Sequence, residues 1–303
     1  MTTTATKTVE VQPYGRRLVQ RRGQLFPYAL IFPLVGIILF VFVYPLGTAI
    51  RLSFFDNRGA FVGLENYQTL WGDGKFWHSL LLTVRYTVIY GAGIFAVGFA
   101  TALFADVKWR GARVMAILLT LPYAVPDVAA TLIWKWMLDP QYGIVNYAAM
   151  SLGLADFPMG WLTNPSLALY TVSAVSVWRL FPLHTLVILA GLRSVPAELY
   201  EAADMDGAGW LRKFSSITLP WLRNILSVLV LLTVIWSFQR FTILYLMTGG
   251  GPGRATETVV IGVYRTAFDY LNKSYAYAMG SVVLLILLVL TGMYFFIMRK
   301  SEE

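Results

Sequence analysis

Along most of this chain the apolar residues neither alternate nor recur at every third or fourth place; they run on without interruption. Six such runs, at about 27–50, 79–104, 113–137, 168–191, 223–247 and 275–298, each reach the roughly 20 residues that a helix needs to cross a hydrocarbon core. The pattern predicts six membrane-spanning helices. The polar pieces between them are about 25 to 35 residues at most, too short to bury a core of their own, which excludes a separate soluble catalytic domain. The expectation is one all-α polytopic membrane domain over 26–303, preceded by a disordered cytoplasmic tail over 1–25 that is Thr-rich and then basic.

Composition agrees with that pattern. Of 303 residues, 57% are hydrophobic and 13% charged, against about a quarter charged in soluble domains. There is no cysteine, so disulfides, thiolate metal sites and a cysteine nucleophile are excluded. His78 and His184 lie on different segments, which argues against a histidine metal site.

A net charge of +8 raises nucleic acid as a partner, but the positions of the charges point to a membrane instead. Lys7, Arg16, Arg17, Arg21, Arg22, Lys108, Arg110, Arg113, Arg193, Arg212, Lys213, Arg223, Arg299 and Lys300 fall on one side of the six runs. Only Arg58, Lys75, Arg254, Arg265 and Lys273 fall on the other. The positive-inside rule then puts both termini in the cytoplasm. The first run is long and lacks a small-residue cleavage site after it, so it reads as an uncleaved span rather than a signal peptide.

Three outer loops follow from this topology. In 52–78, FVGLENYQTLWGDGKFW spaces aromatic residues as in a segment anchored at the membrane interface. In 138–167, which has no Lys or Arg, YAAMSLGL forms a short amphipathic pattern suited to lying flat on the surface, and Trp161 precedes the turn at Asn164-Pro165. In 248–258, TGGGPGRATET is glycine-rich, yet no Gly-Lys-Ser/Thr follows and no strand precedes it, so it is not a phosphate-binding loop. A flexible turn is expected there.

The inner loop over 193–222 is the most patterned polar stretch. Pro196 suits a first helical turn, and Glu198 and Glu201 complement the positive end of the helix dipole. Leu199, Ala202, Ala203 and Met205 continue the helix until Gly207, which supplies a positive φ. A second short helix over 208–216 is expected at an angle, with Ile217, Leu219 and Pro220 returning the chain to the membrane and Pro220 stopping one helix as span five begins. From the residues alone, an ordinary helical hairpin covering its own bundle remains the alternative.

The spacing Glu201-Ala202-Ala203, three residues, Gly207, nine residues, Ile217, one residue, Leu219-Pro220 resembles the signature of permease subunits of bacterial ABC importers. FVGLENY, LPYAVPDV, YGIVN, AGLRSVPAELYEAADMDGA and TGGGP, with Thr256 and Ala267-Phe268, resemble the carbohydrate-importing branch and the larger maltose-type permease subunit. Only residues 1–25 fall outside the likeness. It implies the transmembrane domain of a type I ABC importer, with a second homologous permease subunit, an ATPase dimer that binds ATP and Mg, and an extracytoplasmic solute-binding protein. This chain would hold no cofactor and perform no catalysis. The bracket over 193–222 would be the cytoplasmic coupling helix, in which Glu201, Ala202, Ala203 and Gly207 shape the ATPase contact while Ile217, Leu219 and Pro220 set it against the bundle. Two positions depart from the pattern: Trp221-Leu222-Arg223-Asn224 stands where a proline is frequent, and Thr242 where an aspartate is common.

Polar residues inside a span are costly and point to function. Span four aligns Ser176 and Arg179 on one helical face, and span five aligns Thr233, Ser237 and Arg240 with Trp236 adjacent. Hydroxyls, guanidiniums and an indole suit a sugar, which presents hydroxyls and an apolar ring face. Each hydroxyl has the alternative of bonding back to its own helix or to a neighbour, and the two arginines that of a structural partner or, for Arg240 nearer the outer end, of snorkelling. Arg51, Arg85 and Lys135 sit near span ends as anchors, and Asp127 calls for a basic partner.

Taken with these residues, the resemblance implies a di- or oligosaccharide or a polyol as solute, in a bacterial cytoplasmic membrane with lipid around the bundle and no nucleic-acid partner. The resembling branch also includes importers of glycerol phosphate esters, and such an ester, with its phosphate held by the two arginines, is the alternative. A proton-coupled carrier would need mid-membrane carboxylates and often an internal repeat, and only Asp127 qualifies. An intramembrane hydrolase would need a nucleophile and base on one cavity, and His184 with a nearby serine is too little.

Overall fold

The computed structural model describes residues 30–107 and 111–300. The tail expected over 1–25 and the charges at Lys108 and Arg110 lie outside the described residues. Two units are distinguished, residues 1–52 and 53–303.

In the first unit, α1 runs Leu30–Leu52, and its residues from 30 to 47 are exposed on every face. A helix that is apolar all round suits a bilayer, where lipid takes the place of a core. The backbone widens into a π-turn over Leu39–Val43, with the Tyr44 N–H bonded to the Leu39 carbonyl and Pro45 next in line. The wider turn relieves the collision between a proline ring and the carbonyl four residues earlier.

The second unit is helical throughout its regular structure. In chain order it contains α2 (Glu65–Gly72), α3 (Gly74–Asp106), α4 (Ala112–Ala124), α5 (Asp127–Met137), α6 (Ile144–Ser151), α7 (Pro165–Arg193) and α8 (Ala197–Met205). Then come α9 (Trp210–Gln239), α10 (Thr242–Thr248), α11 (Val259–Tyr264) and α12 (Lys273–Lys300). Among the described residues the only β pairing is a single bridge between Phe55 and Phe61. The fold is all-α: α1, α3, α7, α9 and α12 are long and apolar enough to cross a membrane, and α4 with α5 makes a sixth if that bent pair is one span.

The centre of the second unit is the pairing of α3 with α7. Small residues let the two backbones approach: a Cβ on Gly93 would lie 2.9 Å from Val177 Cγ2, and one on Gly98 would lie 2.9 Å from His184 Cβ. Tyr86, Tyr90 and Ile94 of α3 are fully buried with Val172 and Val175 of α7. Thr101 and Thr185 share a hydroxyl hydrogen bond of 2.6 Å between the helices. The α9 helix crosses both, with Leu222 and Leu229 in a second core beside Ile188 and Leu189.

Three expectations about element boundaries change. The third span is not one helix: α4 and α5 meet at 100°. Pro126 cannot donate a helix hydrogen bond and drives Val125 into extended backbone (φ −75°, ψ 127°). Span five ends earlier than 247, because Arg240 leaves the helix with φ −71° and ψ 95°. The apolar run continues in sequence because α10 buries Ile243, Leu244 and Met247 inside the protein. Finally, Pro220 stops no helix. A π-turn over Phe214–Thr218, closed by the Leu219 N–H on the Phe214 carbonyl, carries the helix through it, the same device that precedes Pro45. The second helix of the inner loop therefore continues directly into span five.

Candidate functional site

Asp127 is the first residue of α5, where unpaired backbone N–H groups favour an anion. The 100° break aims this helix start at two arginines on other helices. Arg179 projects from the middle of α7 and places Nε 3.1 Å from Asp127 Oδ1. Arg240, at the end of α9, places Nη1 3.7 Å from Asp127 Oδ2. Both guanidiniums are nearly enclosed, their side chains 12% and 13% exposed, while Asp127 keeps 34%. Charges this deep persist only when paired.

The arginines also rest on aromatic faces. The Arg179 guanidinium lies 5.3 Å from the centre of the Tyr123 ring, and that of Arg240 lies 6.0 Å from the Tyr90 ring. Tyr90 in turn stacks on Tyr86, with centroids 5.5 Å apart. Beside the pair, Asp127, Trp236, Gln239, Arg240, Phe241 and Thr242 line a cavity of about 220 Å³. A charged fork, a carboxylate and an indole on one hollow can hold polar groups and an apolar face together.

Of the six residues assigned to solute from the sequence, three meet at this cavity or its edge: Arg179, Trp236 and Arg240. The other three are engaged in helix packing. Ser176 Oγ donates to the Val172 carbonyl at 2.9 Å. Thr233 donates to Leu229 O at 2.7 Å and meets His184 Nε2 at 2.9 Å. Ser237 donates to Val234 O and shares a 2.7 Å hydrogen bond with Thr87. Arg240 does not snorkel; it turns inward to Asp127. That carboxylate is the partner both arginines lacked in the sequence, and its signal was its solitude as the one acidic residue in the 113–137 run.

The bracket sits at the other end of α7 and α9. The Pro196 carbonyl accepts from Leu199 N–H, and α8 ends in two paired bonds, Gly207 N–H to Asp204 O and Ala208 N–H to Ala203 O. Gly207 has φ +69°, the left-handed position that this helix ending requires. Tyr200 Oη meets Thr218 Oγ1 at 2.8 Å, and Lys213 Nζ donates to Asp204 Oδ1 at 2.6 Å, fastening α8 to the start of α9. Trp221 Nε1 donates to Ser194 Oγ at 3.1 Å. Glu201 and Ala202 are exposed, Ala203 and Ile217 half-buried, and Leu219 and Pro220 exposed along α9. No residue of α8 is buried. Met205, Trp210 and Leu211 are 89%, 65% and 71% exposed, an apolar surface on a polar loop.

The segment 248–258 is bonded throughout rather than loose. Glu257, 3% exposed, is held by Arg254 and Arg265, and Arg265 also donates to the Gly249 carbonyl at 2.6 Å. Thr83 of α3 accepts the Val259 N–H at 2.9 Å. In the 138–167 loop, Asn146 accepts from Met159 N–H and Trp161 Nε1 and donates to Met159 O, which fixes α6 to the turn before α7.

Residues 94–302 match the family described as the binding-protein-dependent transport system inner membrane component. The chain belongs to that family. As a permease component it is not an enzyme, and ATP hydrolysis in such systems belongs to separate subunits. Two curated relatives align over nearly their whole length. The sulfoquinovosyl glycerol transport system permease protein of Agrobacterium fabrum is 32% identical over 296 residues, covering 96% of both chains. The trehalose/maltose transport system permease protein of Thermococcus litoralis is 33% identical over 268 residues, covering 87% of this chain and 88% of the other. The fold is that of a bacterial ABC transporter involved in the import of the acidic polysaccharide alginate, with a TM-score of 0.83 at 21% identity, covering 94% of this chain and 99% of the other. This permease component is thus an inner-membrane protein with the ABC-importer permease fold.

Proposed function

We propose that this permease component forms half of the pore of an ATP-driven importer for a sugar, either a di- or oligosaccharide or a polyol, working by alternating access. A second homologous permease subunit completes the pore. Two ATPase subunits, which bind ATP and Mg, dock on the bracket, and an extracytoplasmic binding protein delivers the solute. Both termini lie in the cytoplasm, a reading supported by the concentration of Lys and Arg on the side of the bracket.

The observation that carries the proposal is the bracket itself. It is a short helix with a closed Gly207 end and no buried residue, and it joins the two long helices that bear Arg179 and Arg240. A stiff element in that position passes closure of an ATPase to both helices as a rigid-body movement. Glu201, Ala202, Ala203 and Gly207 form its contact, while Ile217, Leu219 and Pro220 lie along the helix that receives the motion. Arg179, Trp236 and Arg240 bind solute away from the bracket, with Thr233 and Ser237 bonded across to α7 and α3 and Ser176 bonded back to its own helix. The named relatives that transport sulfoquinovosyl glycerol and trehalose or maltose support a sugar-containing solute. The two guanidiniums around one carboxylate favour a glycerol phosphate ester as the second reading.

Uptake of labelled maltose and of sn-glycerol 3-phosphate by the assembled transporter in proteoliposomes tests this. ATP-dependent accumulation of either compound is expected only when the ATPase is present. Accumulation that persists without the ATPase but follows a proton gradient contradicts it.

A further inference from the structure

We infer that Asp127 is a tethered stand-in for an acidic group of the solute: the two-arginine site is built for an anion, and the chain fills it with its own carboxylate until an incoming phosphate or sulfonate takes its place. The inference rests on the importer reading above and names the charge class of the solute at that site.

Three observations converge on an anion. The first is the charge balance, since two enclosed guanidiniums face one carboxylate and leave an excess positive charge. The second is the start of α5, which adds the positive end of a helix of 11 residues at the same point. The third is a surplus of donors. Arg179 Nη1 and Arg240 Nε are buried with no hydrogen-bond partner among the described residues. Tyr86 and Tyr90 beside them are 0% exposed, with their hydroxyls turned to the Arg240 side chain and that of Tyr86 also to Ser176. Arg179 Nε stands close to Asp127 as a charge pair, yet its N–H is not aimed to form a hydrogen bond. One carboxylate therefore leaves much of this donor set unused, whereas a tetrahedral oxyanion offers three or more acceptor oxygens.

Asp127 is also suited to leaving. It is the most exposed member of the triad, it contacts Arg240 only at 3.7 Å, and it sits on a separate short helix beyond the break. The open side of the triad is the cavity lined by Trp236 and Gln239, so a solute whose apolar face meets the indole brings its acidic end to the arginines. Asp127 keeps the two guanidiniums from facing each other uncompensated.

The test uses the full-length chain in nanodiscs and inorganic phosphate as the probe, reading thermal stability at constant ionic strength set with chloride. Asp127→Asn is expected to melt lower than wild type without phosphate, yet to gain stability at phosphate concentrations about ten-fold lower, because a competitor held at millimolar effective concentration has been removed. Arg240→Gln is expected to abolish the response and Arg240→Lys to keep part of it. A purely structural Asp127 predicts the lower melting point with no change in phosphate response, and that result overturns the inference. If Asp127→Asn does not fold, the two Arg240 variants in the Asp127 background decide: equal phosphate responses in wild type and Arg240→Gln overturn it. Nanodiscs of phosphatidylcholine alone and of phosphatidylcholine with phosphatidylglycerol separate the sources of the anion. A phosphate response in both supports a solute, and occupancy that depends on phosphatidylglycerol assigns the site to a lipid headgroup and overturns the solute claim. Failure of this test leaves ATP-dependent uptake of a neutral sugar intact, so the two proposals fail separately.

Discussion

Thr233 and Asp127 show how differently single residues in a membrane core can be engaged. Thr233 spends its hydroxyl twice, on the Leu229 carbonyl and on His184 Nε2, and His184 is itself fully buried on α7. Thr233→Val keeps the shape and removes the hydroxyl, leaving a buried ring nitrogen without its partner at a cost of about 1–3 kcal/mol. The expected outcome is a lower melting temperature of the purified chain with solute affinity unchanged; a loss of affinity at unchanged stability would make Thr233 a solute ligand instead. Arg179 and Arg240 were legible in the sequence because a charge inside an apolar run is rare and needs a reason. Ser176, Thr233 and Ser237 were not separable from ligands, since a hydroxyl bonded to its own helix looks the same in sequence as one facing a pore. Nor was the partner of Asp127 readable, because the direction of its side chain depends on the bend at Val125-Pro126.

At the scale of elements, proline decides more than apolar pattern does. Pro126 breaks a span by 100°, while Pro45 and Pro220 are absorbed by π-turns that begin six residues earlier. A hydropathy run shows neither outcome, which is why α4 and α5 read as one span and α9 read as two helices. The run after Arg240 misled for a related reason: α10 is apolar because it faces protein, and composition does not distinguish that from lipid. The start and the end of α8 were legible, because Pro196 and Gly207 are local signals with fixed backbone meanings; the rest of the bracket was not, because the π-turn carries the second helix through Pro220. Gly207 has open space around it but φ +69°, so the obstacle to a side chain there is backbone strain of about 1–2 kcal/mol. Gly207→Val is expected to uncouple hydrolysis from uptake in the assembled transporter, while Gly207→Asn, which tolerates that conformation, retains most uptake. Full transport by the valine variant would count against a bracket of this geometry.

For the whole molecule, the all-α architecture of long apolar helices follows from the long apolar runs of the sequence. The depth at which solute binds and the way two halves meet are properties of an assembly rather than of one chain. In the single chain, α7 and α9 are joined by an exposed bracket and carry the arginines of the charge triad, Arg179 at the middle of α7 and Arg240 at the far end of α9; the proposed mechanical link is this pair of helices. Because the chain has no cysteine, single cysteines can be introduced without removing any native one. Ala202→Cys, on the exposed face of α8, is the most direct probe. In the intact importer a bifunctional thiol reagent is expected to join position 202 to the ATPase subunit, and a membrane-impermeant thiol label added outside the cell is expected to leave it unmodified. Labelling from outside, or no crosslink to an ATPase under conditions that support uptake, would contradict the central claim.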